Sequence, residues 1–244
     1  MIKIAIIGYG KMGKMVEEVV KQTASATVIA IIDNEADWEK QAKALAQCDV
    51  AIEFSTPQTV CANLLKCFEL QIPVVCGTTG WHAQFTEIQK IAQQRGLSLI
   101  YGSNFSIGAN LFFKLNETLA RCMNEQPQYE VSIEETHHTA KLDTPSGTAV
   151  TTAQIIMQQL ARKTQCSLNG DTQTDTTDTL TITAHRIGDV NGIHTVHYES
   201  DEDIITLTHT AKSRIAFARG AVKAALWLTE NAGIYEFKDI FERV

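Results

Sequence analysis

The first hundred residues alternate between short, unbroken apolar runs and longer stretches where apolar positions return every three or four residues. The runs at 2–7, 27–32, 50–54, 73–76 and 98–101 read as parallel strands covered on both faces. Between them, Met15, Val16, Val19 and Val20 keep helical spacing, residues 35–47 form a connector carrying a helix, and helices are predicted over 58–69 and 83–94. Ser55-Thr56-Pro57 is the expected cap of the 58–69 helix, because Pro57 sits where a missing N–H costs little. This β-α alternation predicts an α/β fold built on a Rossmann-like, doubly wound parallel sheet.

The rhythm changes after residue 106. A long amphipathic helix is predicted over 107–122. Tyr129, Val131 and Ile133 then alternate with Glu130, Ser132 and Glu134, which predicts a half-buried strand over 129–136. A helix opens at Pro145-Ser146-Gly147-Thr148 and is expected to run to about 163, and the polar, threonine-rich stretch 164–179 reads as a mobile connection. Strands follow at 181–186, 195–199 and 204–211, then an apolar helix over 220–229 suited to pack on the first domain, then an ordered tail with Tyr235, Phe237, Ile240 and Phe241. The expected organisation is a dinucleotide-binding domain at 1–106, completed by 215–244. A second, α+β domain at 107–214 carries an open mixed sheet for substrate binding and oligomer formation.

Composition narrows the class. With 244 residues, 44 % of them apolar, the chain has material for two modest cores. A net charge of -7 argues against a general nucleic-acid binder but leaves room for a local basic pocket. No stretch reaches the ~18 apolar residues of a membrane span, and the apolar start 1–7 is too short for a signal peptide. Cys48, Cys61, Cys67, Cys76, Cys122 and Cys166 show no CxxC spacing, so reduced thiols and a cytoplasmic location are expected.

Two motifs carry chemistry. Gly8-Tyr9-Gly10-Lys11-Met12-Gly13 follows the first strand and opens a helix, the context a dinucleotide site needs. There Gly8 makes the tight turn, Gly10 admits a pyrophosphate, Gly13 lets helix and strand pack, and the helix start offers free N–H groups. Asp33 ends the second strand twenty residues after Gly13, where it can bind an adenosine ribose and oppose a 2′-phosphate. No arginine follows it, so NADH is the preferred cofactor, with NADPH the alternative. Lys11 is either a phosphate contact or a solvated surface charge. Gly77-Thr78-Thr79-Gly80 and Gly102-Ser103-Asn104-Phe105 also close strands, where open parallel sheets bind ligands.

The second motif runs from Glu134 to Ala149 and places His137, His138 and Lys141 before a helix start. Neighbouring residues of an extended segment face opposite sides, so the two histidines need not share a task, and a turn could bring Lys141 back. An imidazole acid, an ammonium and the N–H groups and hydroxyls at Ser146, Gly147 and Thr148 suit reduction of an unsaturated, carboxylate-bearing substrate. A polar loop whose histidines bond to the backbone is the alternative. Six of the seven histidines lie in the second half, at 137, 138, 185, 194, 197 and 209, but none shows HExxH or close zinc spacing, so no metal is expected.

Together these residues resemble the 4-hydroxy-tetrahydrodipicolinate reductase family, also called dihydrodipicolinate reductase, over nearly the whole chain. The marks are the glycine loop at 8–13, the loop at 77–80, Asn104-Phe105-Ser106, the run 135–149, Arg186 with Gly188, Gly192 with His194-Thr195, and Ser213-Arg214 followed by Phe217-Ala218. The resemblance implies hydride transfer from NAD(P)H to the dihydrodipicolinate-type intermediate, a cyclic dicarboxylate formed from 4-hydroxy-tetrahydrodipicolinate. Tetrahydrodipicolinate is the product, in the diaminopimelate route to lysine. It implies catalytic roles for His137 and Lys141, and substrate binding by His138, Ser146, Gly147 and Thr148. Arg214 matches a family arginine near the domain junction, where a substrate contact and an inter-domain salt bridge are alternatives. Nucleotide contacts are implied for Gly8, Tyr9, Gly10, Lys11, Met12, Gly13, Asp33, Gly77, Thr78, Thr79, Gly102, Ser103, Asn104 and Phe105, and a homotetramer through the second domain's sheet. Two departures bear on the adenosine edge. The segment 33–44 is shorter than in familiar members and lacks their glycine-rich loop, and Asn34 stands where members using both cofactors have arginine. A semialdehyde-dehydrogenase-like reading would need a nucleophilic cysteine in the second domain, and neither Cys122 nor Cys166 has that context.

Overall fold

Why the early apolar runs are unbroken is plain from what covers them. The computed structural model describes residues 1–169 and 177–241. The chain begins β1 (Ile2–Ile7), α1 (Lys11–Lys21), β2 (Ala26–Ile32), α2 (Glu35–Lys40), α3 (Ala42–Leu45), β3 (Val50–Glu53), α4 (Val60–Glu69), β4 (Val74–Cys76), α5 (Phe85–Gln94) and β5 (Leu99–Tyr101). Ile4, Ile6, Val50 and Ile52 face Val16, Val19 and Val20 of α1. Ala5, Ile7, Ala51 and Val74 face the other way, onto Leu64, Cys67 and Phe68 of α4 and Ile88 of α5. Both faces are dry, so neither can be polar.

The chain continues with α6 (Ile107–Met123), β6 (Glu130–His137), α7 (Gly147–Gln159), β7 (Gln165–Leu168), β8 (Thr179–Arg186), β9 (Ile193–Glu199) and β10 (Ile204–Thr210), then α8 (Ile215–Leu228) and β11 (Ile234–Glu236). It divides into two compact units, Met1–Ile107 together with the chain from Ile215 onward, and Gly108–Arg214. In the first unit the parallel sheet has the order β11-β5-β4-β3-β1-β2. The order reverses between β1 and β3, which opens a crevice at their carboxyl ends. The small face of α8 closes on the loop after β5: a Cβ on Gly220 would lie 1.7 Å from the Phe105 carbonyl oxygen.

The second unit's sheet has the order β10-β9-β6-β8-β7, with β6 antiparallel to β9 and parallel to β8. Its core joins Val131, Ile133, Leu180, Ile182, Val196 and Tyr198 to Phe112, Ala120 and Met123 of α6 and Ala149, Ala153 and Ile156 of α7. Alternation along β6 carries this face past the apolar core, so Glu135 and His137 stay buried at its carboxyl end.

Several sequence-based expectations are corrected. Residues 35–47 hold two short helices, not one. The 58–69 helix starts at Val60 with Thr59 at its cap and no side-chain cap bond, so Ser55-Thr56-Pro57 does not cap it. Ser55 instead serves Glu53, a fully buried carboxylate that accepts from the Ser55 N–H (3.1 Å), the Ser55 hydroxyl and Asn63 (3.3 Å). Uncompensated burial of that charge would cost more than a missing cap. The helix expected to reach about 163 ends at Gln159, and within 164–179 the strand β7 pairs with β8; the rest of that expectation, residues 170–176, lies outside the described residues. The returning helix α8 begins at Ile215, not 220. The ordered tail contributes β11, parallel to β5; three residues are too few to show a period.

Candidate active site

In the first unit, β1 ends in a turn that only glycine can make. Gly8 has φ +86°, and a Cβ there would lie 2.3 Å from the Phe54 carbonyl oxygen. A Cβ on Gly13 would lie 2.2 Å from the Gly8 carbonyl oxygen, so the first turn of α1 sits directly on the loop. Gly10, at the α1 N-cap, faces open space and supplies no side-chain cap, which leaves the helix N–H groups for an anion.

Gly10, Lys11, Met12, Gly77, Thr78 and Thr79 line one cleft of about 440 Å³ at the switch point. Phe54, Ser55 and Pro57 complete its wall and were read in the sequence as a strand end and a helix cap, not as site residues. Their signal was a strand ending in small polar residues. The Thr78 hydroxyl is buried and has no hydrogen-bond partner among the described residues. The open Gly10, the uncapped helix start and this orphaned hydroxyl fit a bound dinucleotide phosphate.

Asp33 accepts the Tyr9 N–H at 2.9 Å, which ties the glycine loop to the end of β2. Asp37 holds the Asp33 and Asn34 N–H groups, each at 3.0 Å, and these backbone bonds keep its carboxyl below the usual range. The 102–105 loop is not part of the cleft wall: Gly102 donates to Cys76 O at 3.3 Å, Ser103 is exposed, Asn104 Oδ1 accepts the Ser106 N–H at 2.8 Å, and Phe105 packs in the core 4.5 Å from the Phe237 ring. All six cysteines are free, and burial pushes the Cys48 thiol to about 11 and the Cys76 thiol well up, so neither is a nucleophile at neutral pH.

In the second unit, register builds the other half. Glu135 lies opposite His194 on β9, and His137 pairs with Arg186 on β8. Glu135 is fully buried and accepts the Ser146 N–H on both oxygens (3.2 and 3.1 Å) and Arg186 Nη2 at 3.2 Å. Burial favours the neutral acid, but the Ser146 hydroxyl and N–H and the Arg186 guanidinium outweigh it and keep the carboxyl below its ordinary value. Arg186 also donates to the Asp143 carbonyl and the Thr144 hydroxyl, both at 2.7 Å, and so pins the loop ahead of α7.

His137 and His194 stack edge to face with centroids 4.9 Å apart. Burial pushes His137 below its ordinary value; Glu135 and Asp143 pull it up, while Lys141 and Arg186 push it down. Burial, with His137 next, lowers His194 to about 4. His194 therefore stays neutral. A Cβ on Gly192 would lie 3.0 Å from His137 Nε2, so glycine keeps that nitrogen clear.

Lys141 returns by a turn, its N–H donating to His138 O at 3.1 Å, and its ammonium holds both Asp143 oxygens at 2.7 Å. His138 is half-buried on the opposite side of the strand end from His137. Ser146 is buried; its hydroxyl caps α7 at the Ala149 N–H (3.2 Å) and lies 3.0 Å from His194 Nε2, so it faces inward. Gly147 and Thr148 present the first N–H groups of α7, and a Cβ on Gly147 would meet open space. Arg214 is exposed and hydrogen-bonds to none of these residues. Histidine spacing along the chain gave no cluster, yet the fold brings ligand-type atoms of Glu135, His137 and His194 within 4.8 Å of one another. Glu135 takes its hydrogen bonds from Ser146 and Arg186, and the two imidazoles face its Oε2 at 3.6 and 3.7 Å. Sequence reasoning assigned no role to Glu135, Arg186, Gly192 or His194; they stood there only as marks of the family resemblance.

Residues 2–105 match the family described as dihydrodipicolinate reductase, N-terminus, and residues 108–241 the corresponding C-terminus. A 4-hydroxy-tetrahydrodipicolinate reductase of Christiangramia forsetii is 43 % identical over 98 % of this chain and 97 % of its own. One from Neisseria meningitidis serogroup C is 38 % identical over 80 % and 73 %. Among solved structures, dipicolinate-bound dihydrodipicolinate reductase from Paenisporosarcina sp. TG-14 superposes with a TM-score of 0.82 at 25 % identity, covering 98 % of this chain and 99 % of the other.

Proposed function

This chain belongs to the dihydrodipicolinate reductase family, and we propose that His137, Lys141 and the start of α7 carry the proton transfer and carboxylate binding of its reaction. The protein uses NAD(P)H to reduce the dihydrodipicolinate-type intermediate formed from 4-hydroxy-tetrahydrodipicolinate, giving tetrahydrodipicolinate in the diaminopimelate route to lysine. When bound, the nicotinamide supplies the hydride.

The observation that carries the assignment of roles is that His137 and the start of α7 converge on one buried carboxylate: Glu135 accepts the Ser146 N–H and faces His137 Nδ1 at 3.6 Å. Hydride addition leaves negative charge on the substrate that a proton must meet. His137 has one nitrogen toward Glu135 and the other clear of Gly192, so it can hold a proton and pass it on. Lys141 supplies a cation whose charge reaches His137. The N–H groups of Gly147 and Thr148 hold a substrate carboxylate, with Ser146 shaping the cradle from behind, and His138 is a further proposed substrate contact.

In the first unit, Gly10, Lys11, Met12 and 77–79 hold the nucleotide phosphates, with Gly8 and Gly13 shaping the loop. We read NADH as the preferred form because Asp33 puts a carboxylate at the end of β2. Exposed Ile204 and Ile205 on β10 support a homotetramer through the open sheet, and the six free thiols support a cytoplasmic location. No described helix is long and apolar enough to cross a membrane.

The test mixes the protein with freshly generated 4-hydroxy-tetrahydrodipicolinate and follows absorbance loss from each nucleotide. Turnover with both, faster with NADH, is expected; no turnover with either, from folded protein, overturns the assignment. Asp33→Ala is expected to raise kcat/KM for NADPH relative to NADH by about tenfold, because it removes a like charge from beside the 2′-phosphate. An unchanged ratio would remove Asp33 from the choice of cofactor.

A further inference from the structure

We propose that Glu135 is the positioning residue of this site: its buried carboxylate, anchored by Ser146 and Arg186, holds the His137 ring with Nδ1 inward and Nε2 free beside Gly192. The proposal rests on His137 being the proton-transfer residue.

Oxygen by oxygen, the geometry leaves one place for His137. Glu135 Oε1 takes Arg186 Nη2 at 3.2 Å, and both oxygens share the Ser146 N–H. Oε2 faces His137 Nδ1 at 3.6 Å and His194 Nε2 at 3.7 Å. His194 Nε2 has a nearer partner in the Ser146 hydroxyl at 3.0 Å. His137 Nδ1 has no hydrogen-bond partner among the described residues, so Oε2 is the acceptor it faces. That distance is longer than a formed hydrogen bond, and it is the kind of contact that tightens when the imidazole gains its second proton.

An ionised carboxylate this deep is costly unless filled, and the fold fills it from two elements, the cap of α7 and β8. An anchor for the start of α7 needs only the Ser146 bonds. The placement of His137 two residues along the same strand face adds a second use, and Gly192 leaves Nε2 unobstructed. The charged groups around His137 are Glu135 on β6, Lys141 and Asp143 on the loop after it, Arg186 on β8 and neutral His194 on β9. Of these, Glu135 contributes most to holding a proton on the ring.

Two measurements test this. In the nucleotide-free wild type, ¹⁵N spectra of labelled histidine are expected to show neutral His137 with its proton on Nδ1; a proton on Nε2 would overturn the proposal. In Glu135→Gln the imidazole titration is expected to move to lower pH by about one unit, so the alkaline fall of kcat/KM moves with it and the variant loses about tenfold above both midpoints. The deficit narrows as the pH falls, and Glu135→Asp, which keeps the charge, restores the position of the profile. A residue that only anchored α7 would lower activity at every pH and leave both titrations in place, and that outcome would sink the proposal. If His137→Ala keeps full turnover while the spectra behave as expected, the role of His137 falls and that of Glu135 as its holder stands.

Discussion

Replacing His137 with alanine is expected to lower turnover by about 10²–10⁴-fold, the usual contribution of a positioned acid or base, while nucleotide affinity stays within about twofold. The ring is buried at the end of β6, and every group that shifts its protonation belongs to the second unit. The glycine loop is built from residues of the first unit. Lys141→Ala is expected to act in the same direction, since it removes the cation that meets developing charge. Its ammonium is bound by Asp143 in this structure, and the substrate must compete for it. Steady-state turnover beside nucleotide titration by fluorescence checks both variants. Equal losses of turnover and nucleotide affinity would refute the proposed division of roles.

Gly13→Ala is expected to damage the first unit in both stability and binding. Its Cβ would sit 2.2 Å from the Gly8 carbonyl oxygen, a backbone atom with no flexible end to swing aside. Overpacking of this kind costs roughly 1–3 kcal/mol, and the loop must shift away from the phosphates, so nucleotide affinity is expected to fall by at least about tenfold. Gly10→Ala is the companion experiment. Its Cβ meets nothing within 4 Å and its φ of -74° suits alanine. Stability is expected to stay within about 1 kcal/mol, while nucleotide binding weakens because the methyl group enters the phosphate cleft. Thermal unfolding and nucleotide titration separate the two. If Gly10→Ala binds as well as wild type, the phosphates do not approach that residue.

Much of the fold could be read along the chain because the physics that sets it is local. Ile4, Ala5, Ile6 and Ile7 form an unbroken apolar run because helices cover both faces of their sheet, and burial on two sides leaves no polar option. The glycine loop was legible because Gly8 and Gly13 answer to constraints within a strand, a turn and a helix. The signature run was legible because its proposed acid, cation and helix start lie within a dozen residues. Where reading failed, the element was short or its determinant distant. β7 and β11 have four and three residues, below any period, and exist because β8 and β5 offer free edges. Ser55-Thr56-Pro57 carried a cap's composition, but a buried carboxylate two residues earlier claimed Ser55.

The sequence alone therefore determined the strand-helix alternation, the phosphate-binding turn and the residues offered for proton transfer, because each is specified by neighbours in the chain. Only the tertiary structure decided how the second site is wired. Glu135 meets His194, fifty-nine residues away, and His137 meets Arg186 through strand register. Which side chain faces which across a sheet depends on backbone pairing that no local spacing encodes. That pairing turns an acid in a strand pattern into the buried group that aims His137.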